Sequence, residues 1–497
     1  MGSAKKVASG VIWSVLVNLV NAIYGFISVP LLIHYFGKAE YGLIGIALSV
    51  NVYMQLMDMG LSSTNVRFFS NWLAKGNPEK VKQLFQTSMA FYGSIGLINA
   101  LILGVIAFFS DRIFNVTPEQ NIILQHLLII LVVTAIISWL SSGFDQFVNA
   151  TENVAWCKRR ALVSKMLMII ALFATIYLKL SIELYLILAM LTGFSMIPVT
   201  ITKIHKLAPY ISFIPRLDKE TFKEILPYSL NIFSFGLFQF SFFHLRPVIL
   251  GMQGSPEMVA EYNVINGIAS MVTMVGGVFM SALLPSSSKV VATGNKEAYY
   301  RVAYKGTKYV TIMYCFCVFG LMSIGADLLS VYVGESYLYL IPWMYVWLFF
   351  TLGGHNNCIS SLILSGADIR AISYMSIISS VSGILVTWFT VPLVQVGAPV
   401  LGLAVYISLQ AIFFYTYYWP RKMQIDSWRV FTKSFSPYVL AGSVIAAVAY
   451  FLLPKTESHW INVLYLGGFF AILYLLFVFI TLDTEDRKFI FNFVKRK

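Results

Sequence analysis

The chain is a succession of apolar runs broken by short polar segments. A bilayer core takes about 20 mostly apolar residues per helix. On that rule spans fall near 11–33, 42–65, 83–109, 122–148, 161–179, 184–201 and 226–250. A second set falls near 262–284, 309–329, 339–364, 372–391, 400–418, 434–453 and 461–480. The pattern predicts an all-α membrane protein of about fourteen transmembrane helices.

Four spans carry polar residues in a stripe when positions are laid out at 100° intervals. The first has Ser14, Asn18, Asn21, Gly25 and Ser28; the second has Asn51, Gln55, Asp58, Ser62 and Asn65. The eighth has Asn263, Asn266, Ser270, Thr273, Gly277 and Ser281, and the seventh a looser set of Asn231, Ser234, Gln239, Ser241 and Arg246. In lipid a polar side chain needs a partner, so such faces turn to protein or water. Small and amide residues also join helices without lining anything, which accounts for many single Ser and Gly positions. It accounts less well for long stripes on spans one, two, seven and eight, which are equivalent pairs in a repeat.

The repeat is carried by Ala74-Lys75-Gly76-Asn77-Pro78-Glu79 after the second span and Ala292-Thr293-Gly294-Asn295-Lys296-Glu297 after the eighth. Pro30 and Tyr41 precede the second span much as Pro247 and Tyr262 precede or open the eighth. The offset is near 218 residues (295 minus 77) and an even number of spans, so two halves share one membrane orientation, with a pathway expected between them. The expected division is an N-lobe at 1–205, a cytoplasmic linker at 206–223, a C-lobe at 224–420, and helices 13 and 14 with a cytoplasmic tail at 421–497. A wet cavity between the lobes is expected to be lined by Asn18, Asn21, Ser28, Asn51, Gln55, Asn231, Gln239, Arg246, Asn263, Asn266, Ser270 and Thr273, with Leu19 and Val264 facing lipid.

Charge sets the orientation. With the N-terminus inside, 30 of the 35 Lys and Arg residues fall on the cytoplasmic side and five, Lys38, Arg112, Lys179, Arg246 and Lys455, on the other. That asymmetry places both termini in the cytoplasm. It also accounts for the net charge of +13 without nucleic acid. Hydrophobic residues make up 58% of the chain and charged ones 11%, against about 25% charge in soluble domains, and no cleavable signal peptide is evident. Cys157, Cys315, Cys317 and Cys358 lie in or beside apolar runs; Cys315-x-Cys317 has no His or acid nearby, so no metal site and no cofactor is expected.

Pro30-Leu31-Leu32-Ile33, Gly37, Tyr41-Gly42-Leu43 and Asp58-x-Gly60-Leu61 with Arg67 downstream resemble the Wzx-type polysaccharide flippases. These belong to the MOP exporter superfamily, which also holds MATE exporters and lipid II flippases. In the second half Leu283-Leu284-Pro285, Leu364-Ser365-Gly366 with Ala371-Ile372, and a stretched Gly397-to-Gly402 motif agree. The resemblance covers helices 1–12 and implies a MATE-like fold. It also implies transfer of a polyprenyl-diphosphate-linked oligosaccharide from the cytoplasmic to the periplasmic leaflet of a bacterial inner membrane, for O-antigen or capsule. Membrane lipid and the polysaccharide polymerase machinery are the partners this role implies.

The residues fit that chemistry in part. Diphosphates take cations or amide donors, and sugars take hydroxyls, amides and aromatic faces. A cation exporter needs buried acids, and the first span has none, while the seventh has none after Glu224. Arg246 is the candidate phosphate contact, with snorkelling to the interface as the plainer reading. Asp58, Arg67 and His355 are the candidates for gating or coupling, though a lone mid-span histidine is more often structural. Enzyme chemistry is disfavoured by outer loops of at most about a dozen residues and the lack of a nucleophile triad or phosphate loop. A major-facilitator antiporter is disfavoured by the Phe68–Gly76 loop, which lacks that class's Gly/Asp/Arg motif. The remaining alternative is a MATE-like small-molecule exporter driven by a proton or sodium gradient.

Overall fold

A computed structural model describes residues 3–293, 295–366 and 370–483. They are helical almost throughout, with no strand among the described residues. The first helix, Ser3–Tyr53, is two helices joined at Gly37, whose φ of 85° and ψ of 167° lie outside the helical region. Glycine adopts that conformation without the Cβ clash other residues meet. The corner between the first two expected spans is therefore a single residue.

The second expected span is broken. After Tyr53 the chain tightens into a 3₁₀ turn at Met54–Asp58, and Met59 and Gly60 are left-handed (φ 50° and 74°) before a new helix runs Leu61–Ala74. The Asp58 carboxylate accepts the Ser62 amide at 3.0 Å and the Ser62 hydroxyl at 2.8 Å. It thus satisfies a donor that a helix start leaves open. The stripe expected to run unbroken from Asn51 to Asn65 is re-phased at this point.

Ten stretches are long and apolar enough to cross a membrane, by length and composition and among the described residues. Two of them, Ile12–Asp58 and Ala371–Met423, each hold two of the expected spans. The seventh and eighth expected spans correspond to the helices Lys219–Gln253 and Pro256–Thr293, of 35 and 38 residues, which are not among the ten. These two helices carry polar stripes.

The repeated segment does the same work in both halves. Asn77 Oδ1 accepts the Lys80 amide at 3.1 Å and Asn295 Oδ1 the Ala298 amide at 3.0 Å, each capping a helix with a glutamate in its first turn. A capping oxygen and a negative charge both suit a helix N-terminus.

By packing, the chain forms two compact units. The first comprises Met1–Asn263 and Thr387–Ala398, the second Val264–Val386 and Pro399–Lys497. The helix Lys219–Gln253 packs with the first unit, although the repeat pairs it with the second half. The repeat groups residues by sequence equivalence; packing groups them by contact.

In the first unit the core gathers Phe69, Phe85, Phe144, Phe147 and Tyr92. Phe69 and Phe85 meet Phe147 edge to face at 5.3 and 5.7 Å. Such pairs add about 0.5–1.5 kcal/mol beyond the area they bury. Small residues allow close helix approach: a Cβ at Gly42 would overlap the Pro256 carbonyl, and one at Gly45 would lie 2.7 Å from Asn263 Nδ2. A strap at 208–218 crosses the start of the helix Pro78–Phe108. The Arg216 amide donates to Gln86 O (3.2 Å), Gln86 Nε2 to Ile214 O (3.3 Å), and the Asp218 amide to Thr87 Oγ1 (3.1 Å). Asp218 then caps Lys219–Gln253, and the Thr221 hydroxyl and amide hold its carboxyl below the usual carboxylate range.

In the second unit Ile359, Leu362, Tyr418, Trp419 and Ile425 pack into one core. Its helices are less regular. The tenth expected span is Ile341–Thr351, a 3₁₀ turn at Leu352–Asn356, and Asn357–Gly366. Wide π turns occupy Val302–Gly306, Phe414–Met423 and Val430–Phe435.

Candidate functional site

The break in the second span opens onto a cavity of about 500 Å³ that lies wholly within the first unit. One wall is polar: Asn51, Gln55, Asp58 and Ser62 come from either side of the break, Asn99 from Pro78–Phe108, and Ser138 and Ser142 from Pro118–Ala150. Trp139 and, from Lys219–Gln253, Phe233, Leu237 and Phe240 supply the apolar and aromatic surface. Amides, hydroxyls and one indole face are a set that suits sugar hydroxyls and an anionic head group.

Behind the polar wall runs a hydrogen-bonded network. The Tyr92 hydroxyl donates to Asp58 Oδ1 at 2.8 Å. Gln146 Nε2 donates to the Tyr92 hydroxyl at 2.7 Å and to Ser62 Oγ at 2.9 Å, and Asn65 Nδ2 donates to Gln146 Oε1 at 2.7 Å. With the two bonds from Ser62, Asp58 accepts from three donors and holds the broken helix in place. From the other side the Ser229 hydroxyl donates to Met59 O at 2.6 Å, so the carbonyl freed by the left-handed turn is also satisfied. Asn99 is different: it is 2% exposed, lines the cavity, and its Oδ1 has no hydrogen-bond partner among the described residues.

The structure gathers three of the candidate site residues, Asn51, Gln55 and Asp58, around this cavity, with Ser62 of the same stripe beside them. The others lie elsewhere. Asn18 and Asn21 are exposed, and at 100° per residue they stand on the side of the helix opposite the exposed Leu16, Leu19 and Ile23. Ser28 is buried, its hydroxyl 3.4 Å from Gly25 O. Asn263 packs against Gly45, Asn266 is half-buried, and Ser270 and Thr273 are exposed with hydroxyls bonded to their own helix at Gly267 O and Ser270 O. Gln239 is exposed, and the side chain of Asn231 lies outside the described residues. Val264, expected to face lipid, is fully buried, because its face of Pro256–Thr293 packs on protein.

Arg246 is 3% exposed, its guanidinium 5.1–5.8 Å from the ring centres of Phe242, Phe243 and Tyr262. That burial excludes snorkelling. Arg67 is exposed and lies 4.2 Å over the Tyr228 ring. His355 is buried in the second unit, with Nδ1 2.7 Å from Leu352 O and Nε2 2.7 Å from the Tyr415 hydroxyl. A carbonyl only accepts, so Nδ1 carries the proton and Nε2 faces the tyrosine. Sequence reasoning did not single out Tyr92, Asn99, Trp139 or Gln146. The available signal was a polar residue alone in an apolar run, as Asn99 is; Gln146 follows Asp145 and carries no such signal.

Residues 7–291 match the polysaccharide biosynthesis protein family. A relative from Bacillus subtilis (strain 168), the uncharacterized membrane protein EpsK, is 23% identical over 326 residues, 64% of this chain and 63% of that protein. The chain thus spans less than two thirds of that relative's length. Among solved structures, the fold is similar to the lipid II flippase MurJ in an inward closed conformation, with a TM-score of 0.72 at 14% identity over 94% of this chain and 98% of that one. It is also similar to an inward-facing multidrug resistance MATE family transporter of the MOP superfamily, with a TM-score of 0.62 at 12% identity over 88% of this chain and 98% of that one. At these identities the likeness shows the fold alone.

Proposed function

Since the chain belongs to the polysaccharide biosynthesis protein family, we propose that it is a flippase for polyprenyl-diphosphate-linked oligosaccharide repeat units. It takes them from the cytoplasmic leaflet and presents them to the periplasmic one for O-antigen or capsule assembly. The observation that carries this reading is the cavity of about 500 Å³ with its amide, hydroxyl and indole lining. The head group passes through protein while the lipid tail stays in the bilayer. The basic excess on one side supports an inner-membrane setting with both termini cytoplasmic.

A MATE-like exporter of small molecules is the second reading, favoured by the presence of Asp58 at the cavity wall. The three donors to its carboxylate argue for a cap rather than a cation site. The test is deletion of the gene in a strain with no second flippase. Lipid-linked repeat units should accumulate in the inner leaflet and surface glycan should disappear; normal surface glycan would end the proposal.

A further inference from the structure

The two units treat equivalent positions differently. In the first, the strap after the sixth expected span closes over Gln86 and Thr87, and Ile211, 4% exposed, packs into the core beneath it. At the offset of 218 (304 minus 86, 305 minus 87, 429 minus 211) the second unit has Tyr304, Lys305 and Arg429. There the loop after the twelfth expected span also reaches the segment leading into the ninth, through the Asp426 amide, which donates to the Tyr304 hydroxyl at 2.9 Å. But the buried Ile211 is replaced by the exposed Arg429, and a pocket of about 390 Å³ stays open.

The pocket is built rather than incidental. Asp426 Oδ1 accepts the Trp428 and Arg429 amides at 2.9 and 3.1 Å, fixing the backbone of Arg429, whose guanidinium lies 4.5 Å over the Tyr304 ring. Tyr300 stacks on Tyr304 at 6.1 Å and 19°, and the Ser434 hydroxyl donates to Tyr304 O at 3.0 Å across the π turn Val302–Gly306. Such turns are rare and frequent at functional sites. Among the described residues two further acids stand beside Arg301, Lys305 and Arg429, and each is paired at the rim: Glu297 with Arg301 at 2.9 Å and Asp483 with Lys305 at 3.8 Å. Position matters as well. The pocket forms where the apolar stretches Lys296–Ser323 and Ser427–Phe451 begin and Ala371–Met423 ends. Beside Arg429, Trp428 is 72% exposed, as tryptophan at head-group depth commonly is.

We infer that this pocket binds the anionic phosphate head group of a lipid in the adjoining, Lys/Arg-rich leaflet. The guanidiniums and Lys305 take the phosphate oxygens, and Gln424 and the tyrosines take the polar remainder of the head group. Basic pockets between helices on this side of a membrane suit such ligands. The site is independent of the proposed transport and needs only that the chain lie in a bilayer.

The test uses the full chain in detergent, with native mass spectrometry and thermal unfolding read in parallel. Wild type should retain phosphatidylglycerol in preference to phosphatidylcholine and melt higher with it. R301Q/R429Q should retain phosphatidylglycerol on the order of tenfold less well and lose the gain in melting temperature, while R301K/R429K keeps most of both. If the glutamine pair does not fold, K305Q carries the same comparison with a smaller loss. Equal retention by wild type and the folded glutamine variants would overturn the site. Inorganic phosphate or pyrophosphate displacing the lipid at matched concentration would overturn its assignment to a lipid in favour of a soluble anion.

Discussion

Asp58 shows how one side chain can belong to a cavity and still do structural work. Its carboxylate replaces a missing helical acceptor for Ser62 and anchors Tyr92. Removing a capping oxygen costs about 0.5–2 kcal/mol. D58A is therefore expected to melt several degrees lower, while D58N, which keeps an acceptor oxygen, stays near wild type and continues to flip substrate. Loss of transport in D58N at unchanged melting temperature would instead assign the carboxylate to ion coupling. Asn99 makes the opposite case. An unpartnered buried polar group costs about 1–3 kcal/mol, so a residue of that kind at a cavity wall points to a ligand or water. N99L should melt at or above wild type and transport more slowly; a variant that is both less stable and fully active would contradict this.

At the scale of elements, the break at Met59-Gly60 is what brings the polar wall together. A residue with a Cβ in the left-handed region costs about 1 kcal/mol relative to glycine. G60A and G76A should both pay that cost, since Gly76 also has a positive φ (62°). Only G60A, beside the cavity, should also slow transport in proteoliposomes. Equal transport by the two would make the break a detail of folding. Apolar runs, the repeat and the all-helical fold were legible along the chain because hydropathy is a local property that survives irregular geometry. The stripe from Asn51 to Asp58, and Ser62 beyond the break, did reach the cavity, whereas Asn65 turned into the network behind it, since a projection at 100° assumes an unbroken helix and the left-handed pair resets the phase. Tyr92 and Gln146 were hidden for a different reason: their partners are 34 to 84 residues away. Val264 was misjudged because an apolar residue beside a polar stripe can face protein as readily as lipid.

For the whole molecule, the proposed diphosphate-linked substrate would set the energetics of flipping. A diphosphate head group carries about two negative charges, and one charge crossing 100 mV is worth about 2.3 kcal/mol. Outward movement from a negative interior is then favoured by roughly 4–5 kcal/mol without an ion-binding carboxylate. A potassium–valinomycin potential, positive outside, should accelerate flipping in proteoliposomes at fixed pH. Acceleration by a pH gradient alone, abolished in H355A, would replace this with proton antiport. Motion is constrained too. The strap at 208–218 is hydrogen-bonded to the start of Pro78–Phe108 and runs directly into Lys219–Gln253, so three hydrogen bonds tie the beginnings of these two helices together. A tilt of the seventh helix that keeps those bonds has to arise within its own length. The two prolines inside it, Pro227 and Pro247, each remove a backbone donor and so mark where such a rod bends: near the strap, and about a turn and a half from its far end, where Asn115 bonds Gly251 O and Gly254 O.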